Sequence, residues 1–287
     1  MSLLEKHPLI SFFVLAFAFA WSMWLLIALY PDSAAYIPSA TFGPLIAAFI
    51  VLALTRGRSG VKELLSRMVR WRVGLRWYAV ALLLPLTLVL VAVFANVLLF
   101  GASPPSAAEL GQWPSLFLMF PLLLILDGPL GEEPGWRGFA LPSLQVGYSA
   151  LVASLILGAI WAFWHLPKLL MDSSFRPVPF VLFAIAGSIL FTWVYNSTNG
   201  SVLLTILFHA SINAIQGAFF FSMFSGADLT SLWWLLAAIY WAAAIVVVIV
   251  AGPKHLSRKH RKQEEPSEIS PKFSVYEAQP VAQPQAQ

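Results

Sequence analysis

The stretch Gly131-Glu132-Glu133-Pro134-Gly135-Trp136-Arg137 sets two adjacent carboxylates and a guanidinium at the end of a strongly apolar run. Between Gln112 and Pro253 the chain holds only eight Asp, Glu, Lys or Arg residues, and three of them are here. Carboxylates close to hydrocarbon are expensive, so they call for either chemistry or a built ion pair. On a helix, Glu133 and Arg137 stand four apart on one face, a spacing that suits a pair. Glu132 shares the neighbouring face with Trp136 and has no local cation, which leaves it available for proton transfer. A structural ion cluster at a helix end explains the same residues without any reaction.

Two later stretches add imidazoles. In Trp161-Ala162-Phe163-Trp164-His165-Leu166-Pro167, Trp161 and His165 lie one turn apart, and Pro167 disturbs or ends the helix just beyond. His165 reads either as a functional group or as an anchor in an interfacial aromatic belt. In His209-Ala210-Ser211-Ile212-Asn213, His209 and Asn213 share one face of an otherwise apolar helix. A helix-packing hydrogen bond is the plain explanation, and a polar cavity is the functional one. Together Glu132, His165, His209 and Asn213 are an inventory for hydrolysis by activated water. A carboxylate and an imidazole can orient water and take its proton, while a second imidazole and a carboxamide can donate to a developing oxyanion. No Ser-His-Asp arrangement is evident. The same Glu132, His165 and His209 could instead hold zinc, although His-Glu-x-x-His is absent; no cofactor is favoured.

The elements that must position these groups are membrane spans. The 287 residues are 59% apolar and 10% charged, with a mean hydropathy of +0.79, which excludes an ordinary soluble domain. The expectation is an all-α polytopic membrane helix bundle of about eight transmembrane helices. The spans are Pro8–Leu29, Ile37–Leu54, Trp77–Phe100, Trp113–Leu130, Ala150–His165, Pro179–Tyr195, Ser201–Phe221 and Ser231–Val250. The first is too long to be a signal peptide and is read as a retained helix. There is no cysteine, hence no disulfide or thiolate chemistry.

Charge sets the orientation. The connection after the second span holds Arg56, Arg58, Lys62, Arg67, Arg70, Arg72 and Arg76 against Glu63, and suggests a basic interfacial helix around Val61–Val73. A second basic cluster follows the last span at Lys254, Arg258, Lys259, Arg261 and Lys262. Both should be cytoplasmic, which places both termini inside a bacterial-type plasma membrane. Residues 1–253 form the membrane domain, and 254–287 a basic, then Pro/Gln-rich tail expected to be disordered. The small, localised positive charge points to membrane orientation and lipid contact, not to nucleic acid.

With these residues in hand, the chain resembles the CAAX protease and bacteriocin-processing (CPBP) family of intramembrane proteases. Its Glu-Glu-x-x-x-Arg motif is met by Glu132, Glu133 and Arg137, and its His-x-x-x-Asn motif by His209 and Asn213. The Phe-x-x-x-His motif falls on Trp161 and His165, so the chain departs at the aromatic. The resemblance implies peptide-bond hydrolysis within the membrane, on a peptide or membrane-protein substrate that in some relatives is lipidated. It implies Glu132 and His165 as the water-activating pair and His209 with Asn213 as the oxyanion site. Glu133, Arg137 and Trp161 become structural neighbours, and a metal-free glutamate mechanism is preferred to a metalloprotease. A non-catalytic immunity, scaffold or chaperone-like protein using the same cavity is the competing reading, and a transporter the weaker one. Counting residues along the spans sets His165 deeper than Glu132 and His209, which asks for a tilted helix or one that starts later than Ala150 or outside the hydrocarbon.

Overall fold

A chain in hydrocarbon has to satisfy its own backbone polar groups, so long apolar runs become helices. The computed structural model, which describes residues 6–30 and 40–258, is an all-α bundle with no strand among the described residues. Seven helices are long and apolar enough to cross a membrane among those residues. They are α1 (Pro8–Leu29), α2 (Gly43–Met68), α3 (Leu75–Phe100), α4 (Ala107–Leu126), α8 (Pro177–Ser197), α9 (Val202–Met223) and α10 (Gly226–Ala251). Between them lie α5 (129–144), the shorter apolar helix α6 (Ala150–Trp164) and the brief α7 (Leu166–Met171). The chain is an integral membrane protein.

Several boundaries differ from those read in the sequence. The run expected at Trp113–Leu130 breaks at Asp127–Gly128, so Glu132 belongs to a new helix and not to the end of the apolar one. The physical cause is local: Gly128 takes φ +104°, a conformation other residues avoid, and Pro129 then starts α5 where its missing N–H costs nothing. The basic helix expected at Val61–Val73 is instead the far part of α2, set off from the span by a non-helical Gly57 and ending at Met68. The expected disordered tail beyond residue 258 lies outside the described residues.

α8 is the hub, packing between α6 and α10 with most of its length buried. Serine caps start two of the helices that carry site residues: Ser149 accepts from Val152 N–H at α6, and Ser201 from Leu204 N–H at α9. α5 is buried along nearly all its length and lies against α2 through small residues. A Cβ at Gly135 would come within 2.5 Å of the Pro44 carbonyl oxygen, so only glycine permits that approach.

The two ends of the bundle differ in charge. At one end Arg67 donates to the Gly138 carbonyl at 3.1 Å, Ser201 Oγ to the Arg70 carbonyl at 2.6 Å, and Ala150 N–H to the Lys254 carbonyl at 2.9 Å. Asn196 there donates to the His255 carbonyl, and Arg76 and Arg258 border one shared crevice. At the other end Asn96 donates to the Asp228 carbonyl at 2.9 Å, Arg176 to Thr230 at 2.8 Å and Trp233 to the Ser174 carbonyl at 3.0 Å.

Candidate active site

Glu132 stands in the first turn of α5, with only 3% of its surface exposed. Its Oε2 accepts a hydrogen bond from the Trp161 indole at 2.6 Å. The sequence spacing leaves Glu132 without a partner; the partner comes from α6, twenty-nine residues away. It is the indole N–H of Trp161, the position where the resemblance asks for phenylalanine, and phenylalanine has no such donor. Gly128 lies against the other oxygen. A Cβ on it would run into Glu132 Oε1 and approach His209 Cε1 to 3.8 Å, so the glycine keeps space open between the carboxylate and the imidazole.

Glu133 is wholly buried. The four-residue pairing with Arg137 is present at 2.8 Å. The same oxygen, Glu133 Oε1, also takes His209 Nδ1 at 2.9 Å. Arg137 is buried as well, with its guanidinium 4.0 Å from the Phe191 ring centre and 5.0 Å from that of Trp161. Glu133 is therefore more than a helix-stabilising partner: it ties Arg137 and His209 together. A π-helical turn at Trp136–Ala140, widening the register there, aims this part of α5 inward.

His165 ends α6, and its Nδ1 lies 2.9 Å from the Trp161 carbonyl. A carbonyl can only accept, so Nδ1 carries the proton and Nε2 is the nitrogen left for other partners. The Glu133 carboxylate imposes the same choice on His209. As neutral rings both histidines present an Nε2 lone pair; as an imidazolium braced by Glu133, His209 presents a donor. Trp161 stands between the two rings, with centroids at 5.3 Å from His165 and 5.6 Å from His209.

Asn213 follows His209 on α9, where the helix changes to π form from Ile212 to Phe220. Asn213 still lines the same chamber as His209. Its Nδ2 donates to the Asp127 carbonyl at 2.7 Å and, at the longer distance of 3.5 Å, to Asp127 Oδ2. Glu132, His165, His209 and Asn213 all line one chamber of about 70 Å³. Trp161, Asp127, Lys168 and Thr41 share its walls. The expected depth conflict eases because α5 runs on to Leu144, past the Leu141 end assumed for it, while α6 does start at Ala150. Glu132 thus lies roughly 20 Å along its helix from the basic end, close to the level of His165.

Among the described residues no group of three or more His, Asp or Glu side chains is arranged to hold a metal ion. Glu132, His165 and His209 are not among any such group in this arrangement. Sequence reasoning passed over Asp127, Lys168 and Gly128. Asp127 and Lys168 were visible only as two of the rare charges in this region, with Lys168 Nζ 3.8 Å from Asp127 Oδ1. Next to the chamber is a cleft of about 450 Å³, which shares Asp127, Lys168, Phe175, Phe180, Ile212 and Asn213 with it.

Residues 111–215 match the family model described as type II CAAX prenyl endopeptidase Rce1-like. That interval contains every candidate residue of the chamber except Thr41 and Trp24. Over 185 residues the chain is 28% identical to a protein of Methanococcus maripaludis named CAAX prenyl protease 2, covering 60% of this chain and 68% of the relative. Over residues 111–215 the chain is thus similar to Rce1-like CAAX proteases, and the Methanococcus relative is similar over a longer stretch.

Proposed function

We propose that this chain is an intramembrane endopeptidase that hydrolyses a peptide bond with water activated by Glu132 and His165, without a metal. The observation that carries the reading is the meeting of Glu132, His165, His209 and Asn213 around one buried chamber, although they come from three separate helices. Trp161 holds one oxygen of Glu132, so the other, beside Gly128, is the one that faces water. Glu132 and the free Nε2 of His165 take the proton of that water as its oxygen adds to the scissile carbonyl carbon. His209, held by Glu133, and the Asn213 amide stabilise the oxyanion. The proton is then passed to the departing nitrogen, the C–N bond breaks, and a carboxylic acid and an amine leave.

The adjoining cleft, within the roughly 300–1,000 Å³ usual for ligand sites, has Phe175, Phe180, Phe183, Phe221 and Trp233 in its walls. Such walls suit an apolar or lipid-modified peptide segment. The name of the Methanococcus relative refers to CAAX prenyl substrates, in which a cysteine near the C-terminus carries an isoprenoid. A farnesylated C-terminal peptide is therefore the first substrate to try. Purified protein in lipid vesicles should release the C-terminal fragment; Glu132→Gln, His165→Ala and His209→Ala should each abolish release, with Glu132→Gln keeping the wild-type melting profile. Cleavage by Glu132→Gln at the wild-type rate would overturn the mechanism.

A further inference from the structure

Beyond α10 the chain turns back as a short hook. Gly252 takes φ +77° at the helix end, and Leu256 N–H donates to the Gly252 carbonyl at 3.0 Å. Leu256 itself adopts φ +43°, a left-handed conformation uncommon for a residue with a side chain, and that side chain is wholly buried. The hook is pinned by two helices. The first N–H groups of α6, on Ala150 and Leu151, donate to the Lys254 and Pro253 carbonyls at 2.9 and 3.0 Å. Asn196 of α8 donates to the His255 carbonyl at 2.8 Å. Backbone strain persists only where the surroundings over-determine it, so Ser257 and Arg258 are held in place by what precedes them.

Both face a crevice of about 300 Å³ between the start of α3 and the ends of α8 and α10, which shares no wall residue with the chamber or the cleft. Trp77 and Trp193 form its apolar wall, edge to face with ring centres 4.9 Å apart, and Val80 and Val250 stand beside them. Ser197 and Ser257 add two buried hydroxyls, 3.4 Å from each other. Arg76 and Arg258, both exposed, border the opening. Arg258 Nε donates to the Val250 carbonyl at 3.4 Å, which draws the side chain across the end of α10. The Arg76 guanidinium lies 5.6 Å from the Trp77 ring centre. Among the described residues neither arginine forms an ion pair, and Glu63, the acid of α2, is engaged by Arg56 and Arg67. Two uncompensated guanidiniums and two hydroxyls beside an aromatic wall match a phosphate that carries hydrocarbon.

We propose that this crevice binds an anionic phospholipid, with the phosphate between Arg76 and Arg258 and an acyl chain along Trp77, Val80, Trp193 and Val250. The site is separate from the peptidase reading and does not rest on it. A lipid held there ties together the ends of α3, α8 and α10, and its occupancy stabilises the fold as any ligand of the folded state does. Free phosphate offers the same headgroup chemistry but leaves the tryptophan wall uncovered, so the two ligands are separable.

The test titrates the full-length protein, purified in a non-ionic detergent, with phosphatidylglycerol, phosphatidylcholine or inorganic phosphate. Native mass spectrometry counts bound lipid, and thermal melting is followed in parallel. Phosphatidylglycerol should be retained and should raise the melting temperature, while phosphatidylcholine, which has no net charge, should bind far more weakly. Arg76→Gln/Arg258→Gln should lose affinity for phosphatidylglycerol roughly tenfold or more. Arg58→Gln/Arg72→Gln removes the same charge from exposed positions outside the crevice and should largely keep that affinity. Melting temperatures without added lipid verify that both double variants are folded. Failure to retain phosphatidylglycerol overturns the site, and so do equal losses in the two double variants, which would reduce the binding to diffuse surface charge. An equal melting shift from phosphate alone, or equal retention of phosphatidylcholine, overturns the assignment to an anionic lipid.

Discussion

The indole N–H of Trp161 donates to Glu132 Oε2 at 2.6 Å, linking the first turn of α5 to the last turn of α6. The bond fixes the rotamer of the one carboxylate positioned to meet water, and it settles which of its oxygens stays free. Both groups are buried, so the bond is poorly screened and directional.

Trp161→Phe is therefore the most informative single change. It keeps a large ring between His165 and His209 and restores the aromatic of the family motif, but removes the donor. A hydrogen bond to a charged group contributes about 1.5–3 kcal/mol. If it acts mainly by orienting Glu132, kcat should fall roughly ten- to hundredfold with little change in KM. Steady-state kinetics on the purified variant measure this, and an unchanged kcat would mean that the site tolerates a freely rotating carboxylate.

Glu133 serves structure and chemistry at once. Spacing along the helix suggests that it only pairs with Arg137, so that one acid governs stability and its neighbour governs turnover. The contact with His209 Nδ1 removes that clean division. Glu133→Gln should lose about 3–5 kcal/mol of stability by stranding buried Arg137. It should also reduce turnover at temperatures where the variant is still folded, because His209 loses the carboxylate that braces its charged form. Glu132→Gln should lose turnover while its melting temperature stays near wild type. Melting curves and rates for both variants in one detergent separate the two effects.

Gly128→Ala tests the gap beside Glu132. The new methyl group would collide with the free carboxylate oxygen and come close to His209 Cε1, and φ +104° adds backbone strain. Activity should be lost. Water-occupancy loss is distinguished from unfolding by thermal denaturation, which should show only the modest destabilisation of a strained turn, of order 1–3 kcal/mol.

Asn213→Ala should cost about 3 kcal/mol of transition-state stabilisation if its amide turns to the oxyanion, read as a hundredfold or greater fall in kcat. Asp127→Ala gives the control. Asn213 leans mainly on the Asp127 backbone carbonyl, which survives that substitution, so activity should drop far less. Equal losses in the two variants would point to the Asp127 side chain as the functional partner of Asn213.

Sequence alone determined the solvent and the class of fold, because long runs without charge leave the backbone no option but helices. It also singled out Glu132, Glu133, Arg137, His165, His209 and Asn213, since ionisable and amide groups are rare enough in hydrocarbon to stand out one by one. The i, i+4 contact of Glu133 with Arg137 was legible for the same reason, being set by helical geometry within one element. Contacts between elements were not legible. Trp161 meets Glu132, and His209 meets Glu133, only because α6 and α9 pack beside α5 at levels that no local spacing encodes. Asp127 and Gly128 looked like the end of an apolar span and became the break that starts the helix carrying Glu132. The two π-helical stretches, Trp136–Ala140 and Ile212–Phe220, likewise depend on packing around the helix and leave no periodic mark in the sequence.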